Sequence, residues 1–178
     1  MKAGGSFSKK DYEKGTRYEK EIIKKLHRLG INARRNKDPE TKEDVYKNAK
    51  YGDIVISYNN GNELLAEAKS STWIPYNQTM ITRTDIYIFH HRDSNKDFVC
   101  TDVKFIKNKL SEAEKKRNLY TSRGTRGKEE AYKKDHRIVD PEQPGKEVAD
   151  LGYRFKLNEF PSNSLTRLEV YFQDPSFH

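Results

Sequence analysis

Two carboxylates and a lysine are spaced in this sequence so that they can hold a divalent cation. Asp53 stands directly before the apolar run at residues 54–56, and Glu67 and Lys69 follow the apolar run at residues 64–66. Mg²⁺ prefers oxygen ligands and typically binds one or two carboxylates together with substrate phosphates. An ammonium on the same face can orient a water or stabilise charge that develops on a phosphoryl group. The pattern predicts metal-assisted chemistry at a phosphate ester, and a solvated strand face is the alternative.

The turn between the two runs decides whether the carboxylates meet. A three-residue loop at residues 59–61 is a type I turn with glycine in the left-handed position, and it places Asp53 opposite Glu67 on one face. A two-residue loop at residues 60–61 pairs Glu67 with Ile54 instead and turns Asp53 to the other face. The sequence Asn-Asn-Gly favours the three-residue loop. We therefore expect Asp53 and Glu67 to face each other.

Glu19 is a further candidate for this site. Apolar residues recur at helical spacing over residues 16–29 and predict a helix that ends at Gly30. Glu19 lies on the buried edge of this helix, from which a carboxylate can reach the metal site. Thr16 and Glu19 also form a capping-box pattern, in which Glu19 reaches back to the helix start. The sequence leaves both roles open.

The rest of the chain supplies elements that can hold the hairpin in a sheet. Runs of β-branched and aromatic residues predict strands at residues 31–35, 53–58, 63–70, 85–91, 98–106, 153–157 and 167–172. Residues 75–80 predict a short helix and residues 38–51 a polar loop. Residues 107–134 predict a helix, a mobile loop and a second helix. This order predicts an α/β fold with a central mixed sheet flanked by helices.

Charge is distributed unevenly along the 178 residues, whose formal net charge is +8. Residues 1–37 contain 12 basic and 4 acidic residues, and residues 104–137 contain 12 and 5. Residues 38–103 contain 7 basic and 11 acidic residues. Basic flanks can neutralise phosphates, and a divalent cation can bridge an acidic centre to a polyanion, although solvated charged faces are the alternative. The candidate DNA contacts are Arg34, Arg35, Ser70, Arg123, Arg126 and Lys128.

Composition and motifs argue against several other classes. No apolar run is long enough to cross a membrane, and the N-terminal residues lack the apolar stretch of a secretory signal, so we expect a cytoplasmic protein. The single cysteine, Cys100, excludes a disulfide framework and a cysteine-based zinc site. His90 and His91 suggest an HNH-type metal site. Adjacent residues on a strand point to opposite faces, however, which favours packing at a strand end.

Three segments together resemble the PD-(D/E)xK nuclease superfamily: Gly15-Thr16-Arg17-Tyr18-Glu19 at a helix start, Gly52-Asp53 at a strand start, and Glu67-Ala68-Lys69 at the end of a hairpin. The resemblance covers residues 15–106. The first and third of these segments are especially similar to archaeal-type Holliday junction resolvases. It implies a restriction-endonuclease-like core between a flexible basic arm at residues 1–14 and a C-terminal extension at residues 107–178, packed on or flanking the core. Gly52 stands where the name-giving proline of the family would be.

The same resemblance implies the chemistry and the roles of the site residues. The reaction would be Mg²⁺-dependent hydrolysis of a phosphodiester bond, with Mn²⁺ as a substitute metal. The metal ligands would be Asp53, Glu67 and the backbone carbonyl of Ala68. Lys69 would position the attacking water. Glu19 would lie near the metal, and Gln78 would match a glutamine that members carry in the following helix.

The leading hypothesis is a Mg²⁺-dependent DNA endonuclease of the restriction type or of a phage or mobile element. A Holliday junction resolvase is the catalytic alternative, and a non-catalytic nucleic-acid-binding module or a basic interaction protein is the alternative without catalysis. We also expect a homodimer. Only 33% of the residues are hydrophobic, and the aromatic residues at 85–91 and 167–172 exceed what one thin core requires. Two identical sites would match the twofold symmetry of duplex DNA.

Overall fold

The computed structural model describes residues 9–36, 52–139 and 147–178. Six strands form the main sheet, in the spatial order β1 (Ala33–Arg35), β2 (Ile54–Ser57), β3 (Glu63–Lys69), β5 (Ile86–His91), β6 (Lys96–Cys100) and β10 (Leu165–Arg167). Strands β3 and β5 run parallel, and the other neighbouring pairs are antiparallel. The predicted α/β class with a central mixed sheet is confirmed. The predicted loop at residues 38–51 and the first eight residues of the predicted arm lie outside the described residues.

Two shorter strand pairs lie beside this sheet. They join β4 (Trp73–Pro75) to β9 (Gly152–Arg154) and β7 (Arg137–Val139) to β8 (Glu147–Asp150). Because β10 belongs to the main sheet and β9 pairs with β4, the C-terminal third of the chain is built into the same body as the hairpin of β2 and β3.

In the described ranges, five α-helices accompany the strands: α1 (Lys9–Arg28), α2 (Tyr76–Ile81), α3 (Val103–Lys115), α4 (Glu129–Lys133) and α5 (Leu168–Tyr171). The apolar residues of α1, among them Ile22 and Leu26, pack on one face of the sheet against side chains such as Ala66. The apolar residues of α3, among them Ile106, pack on the other face, which includes Tyr87. The sheet therefore has a helical layer on each side.

Helix α1 is longer than the sequence pattern indicates. It begins at Lys9 instead of Thr16, so residues 9–14 of the predicted arm are helical. Lysine and glutamate, which are frequent there, are good helix formers and extend the helix beyond its apolar stripe. Thr16 is consequently an interior residue of the helix, and the capping-box interpretation of Glu19 is wrong.

A helix replaces part of two predicted strands: the strand predicted at residues 98–106 ends early, and the strand predicted at residues 167–172 is wrong, since residues 168–171 are helical. Strand β6 ends at Cys100 instead of continuing to residue 106, since Asp102 caps α3 by accepting a hydrogen bond from the Phe105 N–H at 2.9 Å. Strand β10 ends at Arg167, and Leu168 and Phe172 are then buried on one side of a helical turn, as their i, i+4 spacing allows.

The aromatic surface that suggested a dimer is part of the core. Tyr87 and Phe89 on β5 are fully buried, and Phe172 is 1% exposed. Phe89 and Phe98 stack against each other, so these rings pack within one protomer. The sequence argument for surplus apolar surface at residues 85–91 and 167–172 is therefore wrong, and a dimer interface would have to lie elsewhere.

Asp97 anchors α1 to the sheet, and His90 supports it. Asp97, 2% exposed, accepts hydrogen bonds from Tyr18 at 2.9 Å and from Lys25, and His90 Nδ1 lies 3.0 Å from it. Burial alone would raise the pKa of Asp97, but the donors Lys25, His90 and Tyr18 lower it below its ordinary value. His90 thus has a packing role at the strand end, as the sequence favoured.

Candidate active site

The hairpin of β2 and β3 has the register that brings Asp53 opposite Glu67. Ile54 pairs with Ala66 and Ser57 with Glu63. The loop closes through the Tyr58 N–H, which donates to the Asn62 carbonyl at 2.8 Å, and Gly61 has a φ of 87°. This is the three-residue loop with a left-handed glycine that the sequence favours.

Asp53 is held at the start of β2 by backbone contacts. Its Oδ2 accepts a hydrogen bond from the Ala68 N–H at 3.0 Å, across the hairpin and next to Glu67. Asn36 braces the same point, since its backbone N–H donates to the Asp53 carbonyl at 2.9 Å and its Nδ2 to the Gly52 carbonyl at 3.0 Å. The sequence analysis did not identify Asn36, because its contacts are made across the β1–β2 edge and no local motif marks them.

Glu67 is a nearly completely buried carboxylate, with 2% of its surface exposed. The Lys69 ammonium lies 3.1 Å from its Oε1, but this ion pair lacks hydrogen-bond geometry, and Oε1 has no hydrogen-bond partner among the described residues. Lys69 instead donates to Gln78 Oε1 at 3.1 Å. A buried carboxylate with one ion-pair partner is still costly to desolvate, and a further cation beside it would reduce that cost.

Gln78 is positioned by a contact from the C-terminal part of the chain. Helix α2 has no side-chain cap of its own at Pro75. Asp150 Oδ2 accepts hydrogen bonds from the backbone N–H groups of Asn77 at 2.8 Å and Gln78 at 3.3 Å, and it thereby caps the helix. Residues near 150 thus hold the glutamine that contacts Lys69.

Glu19 reaches the same site from α1. Its Oε2 lies 3.1 Å from Arg35 Nε, and both side chains are largely buried. Burial and the negative charge of Asp53 raise the pKa of the Glu19 carboxyl to about 7, while Arg35 and Lys69 act in the opposite direction. Arg35, which is also a predicted DNA contact, forms an ion pair with Glu19.

The charges of the site do not balance when all its groups are ionised. Three carboxylates (Asp53, Glu67 and Glu19) face two cations (Lys69 and Arg35), which leaves one negative charge. Burial raises the pKa of the Glu67 carboxyl to about 8, and Asp53 adds to this effect while Lys69 opposes it. Burial alone would lower the pKa of Lys69, but the carboxylates of Glu67 and Asp53 raise it, so Lys69 stays protonated at neutral pH.

The donor set fits a cation that also binds substrate. Among the described residues there is no group of three or more His, Cys, Asp and Glu side chains arranged to hold a metal ion. Two carboxylates with the Ala68 carbonyl would form an incomplete coordination shell, which would suit Mg²⁺, because Mg²⁺ retains waters and takes further ligands from phosphates. The ion would fit between Glu67 and Asp53, whose two negative charges exceed the single positive charge of Lys69.

Tyr87 adds a polar group that the sequence analysis missed. It pairs with Glu67 in the parallel register of β3 and β5, and its hydroxyl has no hydrogen-bond partner within the described part of the chain. Burial raises the pKa of Tyr87 to about 12, and the Glu67 charge contributes. Parallel strands are joined by a long crossover, so no turn fixes their register, and the sequence could not place Tyr87 here.

Gly52 is required by the close approach of β3. A Cβ at this position would lie 2.8 Å from the Ala66 carbonyl oxygen, and the Gly52 N–H donates to the Arg83 carbonyl at 3.0 Å. A proline at this position would introduce such a Cβ, and it would remove the N–H that donates to the Arg83 carbonyl. The departure from the family motif thus has a physical reason in this chain.

Gly52→Ala should separate Asp53 from Glu67. Because the obstructing atoms belong to the backbone, the hairpin must shift, at a cost of roughly 1–3 kcal/mol. We expect a melting temperature several degrees lower, by about 2–4 °C per kcal/mol for a domain of this size. Gly61→Asn is the comparison without a steric clash, since nothing lies within 4 Å of the added Cβ and its cost is the left-handed φ of 87°, which asparagine tolerates better than most residues. Equal melting temperatures for Gly52→Ala and the wild type would contradict this account.

The predicted DNA contacts have different surroundings. Arg34 lies 3.2 Å from Glu63 at an exposed edge, and Ser70 is exposed at the end of β3. Arg126 donates to the Arg117 carbonyl at 3.2 Å, within a turn whose Thr121 N–H donates to the Thr125 carbonyl. The predicted loop is therefore a hydrogen-bonded turn. Arg123 and Lys128 are exposed beside it.

No family model, curated protein or solved structure matches this chain. In the described residues, no helix combines the length and the apolar character that crossing a membrane requires. The geometry of the site is therefore the basis for the function proposed for it.

Proposed function

We propose that this protein is a Mg²⁺-dependent DNA endonuclease that hydrolyses phosphodiester bonds. One observation carries the proposal: Glu67 is 2% exposed and lies directly across the hairpin from Asp53, and the Lys69 ammonium, 3.1 Å from Glu67 Oε1, supplies one positive charge for the two carboxylates. A further cation beside this pair would balance the remaining negative charge. The element order and the three motifs support membership of the PD-(D/E)xK superfamily and its restriction-endonuclease-like core as part of this proposal.

The charge state of each site residue determines its proposed role. Asp53, Glu67 and the Ala68 carbonyl would hold the ion, which when bound would polarise the phosphoryl group and acidify a water. Lys69, whose pKa is raised by the carboxylates despite burial, remains a donor and would orient the attacking water or stabilise charge on the phosphate. Gln78 fixes the Lys69 ammonium by accepting its hydrogen bond.

Glu19 would take the proton that the attacking water loses. Burial brings the pKa of its carboxyl to about 7, where a group can accept and release a proton at neutral pH. The water oxygen bonds to phosphorus, one P–O ester bond breaks, and the leaving oxygen is protonated from solvent. Arg35 holds the Glu19 carboxylate in place through its contact at 3.1 Å.

A panel of substrates tests the proposal and separates its variants. Purified protein is incubated with plasmid, linear duplex and a four-way junction, each with Mg²⁺, Mn²⁺, Ca²⁺ or chelator. We expect cleavage in Mg²⁺ and Mn²⁺ alone. Cleavage of the junction only would favour the resolvase alternative. Binding of all three without cleavage would favour the non-catalytic module, and neither binding nor cleavage would overturn the proposal.

The proposal includes a homodimer that cuts both strands, in the cytoplasm with its DNA. Each chain has one Asp53–Glu67–Lys69 constellation, and two copies related by a twofold axis match a duplex. Val170 and Ile81 are large apolar residues that remain exposed, at 54% and 58%. Light scattering of the free protein should give twice 20.9 kDa. A monomer mass at micromolar concentration would restrict dimerisation to the DNA-bound state.

A further inference from the structure

A cleft of about 720 Å³ opens beside the candidate active site. One wall is formed by Ser71 and Thr72, which follow β3, and another by His91 and Arg92 at the end of β5. Residues after β9, including Lys156, form the third wall. None of these residues has a role in the hydrolysis proposed above.

The cleft continues the face of the sheet that carries Glu67 and Lys69. In the parallel register, Glu67 pairs with Tyr87 and Lys69 with Phe89, so these four side chains share one face. Two residues further along β5, the same alternation leads to His91, which lines the cleft, and Ser71 lines it two residues after β3 ends at Lys69. Thr72 is three residues from Lys69, so their Cα atoms are at most ~11 Å apart.

The walls of the cleft are positively charged. Arg92, Arg154 and Lys156 are exposed at its rim, and Asp93 is the one acidic residue among those that line it. Arg154 donates to the Ser122 carbonyl at 2.8 Å, which holds it against the 120–126 turn. Neither Arg92 nor Lys156 has a carboxylate within ion-pair distance in the described structure. Two cations are thus available to an external anion.

The geometry points to a binding site in this cleft for the sugar–phosphate backbone of the DNA strand that enters the active site. The inference rests on the proposed function, since it takes that strand as the ligand. Successive phosphates of one strand rise about 3.4 Å each along a duplex, so a span of at most ~11 Å from Lys69 to Thr72 places this end of the cleft within about three nucleotides of the active site. The cations of the cleft offset the repulsion that the acidic site exerts on DNA, and they set on which side of the site the strand continues.

The test compares two charge-matched double variants. Arg92→Gln with Lys156→Gln removes the two available cations of the cleft. Lys24→Gln with Arg28→Gln removes two exposed cations from α1, the helix on the opposite face of the sheet. Binding of a fluorescein-labelled DNA duplex is followed by fluorescence anisotropy in Ca²⁺, between about 50 and 200 mM salt. Unchanged melting temperatures establish that both variants are folded.

We expect the cleft variant to lose two phosphate contacts. Its slope of log K against log salt should fall by about 1.8, which corresponds to roughly 60-fold weaker binding at 0.1 M salt. The α1 variant should bind within about twofold of wild type. Equal losses in both variants would indicate a general charge effect and overturn the inference, as would wild-type affinity of the cleft variant.

DNA binding in the cleft and DNA hydrolysis are tested by separate measurements, so either one can fail alone. A wild-type protein that cleaves DNA, with a cleft variant that binds normally, leaves the proposed function standing and overturns the cleft site. A wild-type protein that binds DNA through the cleft and never cleaves supports the cleft site and defeats the proposed function.

Discussion

Asp53→Asn and Glu67→Gln should each reduce DNA cleavage on the order of 10³-fold in Mg²⁺. Each substitution keeps the size of the side chain and removes one negative charge from the pair that would hold the ion, so transition-state charge loses its stabilisation. The Asp53→Asn side chain can still accept the Ala68 N–H through its amide oxygen, so the hairpin should remain folded. Plasmid nicking measures the rate, and calorimetric titration with Mn²⁺ measures metal affinity.

The chain offers a matched control on the same strand. Glu63 also lies on β3, but it is 53% exposed and its ion-pair partner is Arg34 at 3.2 Å. Glu63→Gln should leave cleavage and Mn²⁺ binding unchanged, and Lys69→Ala should abolish cleavage while Mn²⁺ still binds. Cleavage at the wild-type rate by folded Asp53→Asn protein would refute the metal site.

The metal-free protein should become less stable as the pH rises from about 4.5 through about 8. Burial raises the pKa of Glu67 from 4.5 to about 8, so across this interval the folded protein holds a proton that the unfolded chain has released. Raising the pH therefore favours unfolding. Glu19, with its pKa raised by burial to about 7, acts in the same direction. The loss should be roughly 1–3 kcal/mol, the usual cost of an uncompensated buried polar group.

Glu67→Gln should remove most of this dependence. The amide cannot ionise, so the variant should melt above wild type near pH 9 and its melting temperature should vary less with pH. Added Mg²⁺ should stabilise wild type at high pH and leave Glu67→Gln unaffected, because a ligand stabilises only the state that binds it. Glu63→Gln should follow wild type in both measurements. A wild-type melting temperature that rises steadily from pH 5 to about 9 would contradict the raised pKa of Glu67.

Local chemistry determined the parts of the site that the sequence could predict. The pairing of Asp53 with Glu67 follows from three turn residues and the period of a strand, so it was accessible before the structure. The two-sided burial of β2 and β3 likewise follows from their apolar runs. The long basic segments did not predict which residues bind DNA, because charge composition does not say which surface a residue faces.

Contacts between distant segments determined the rest. Glu19 was ambiguous because the cap and the site require the same residue type, and only the start of α1 at Lys9 decides between them. The sequence suggests that Arg35 is a surface cation, but in the structure its side chain forms an ion pair with Glu19. Asp150 caps α2 across a sequence separation of 73 residues, which no local pattern encodes. The parallel register that brings Tyr87 to Glu67 is fixed by packing alone.

The hairpin that carries Asp53 and Glu67 is braced by a late segment of the chain. Asn59 at its loop donates to the Pro175 carbonyl, 116 residues further on, and Tyr58 stacks on Phe177 at 4.8 Å between ring centroids. A ribosome that adds about 5–20 residues per second needs roughly 6–23 s to make that interval. The β2–β3 turn is thus synthesised long before Pro175 and Phe177, which contact it. Contacts this far apart in sequence also form slowly. The candidate site therefore completes its packing only after residues 175–177 have been synthesised, which would delay the proposed DNA cleavage until then.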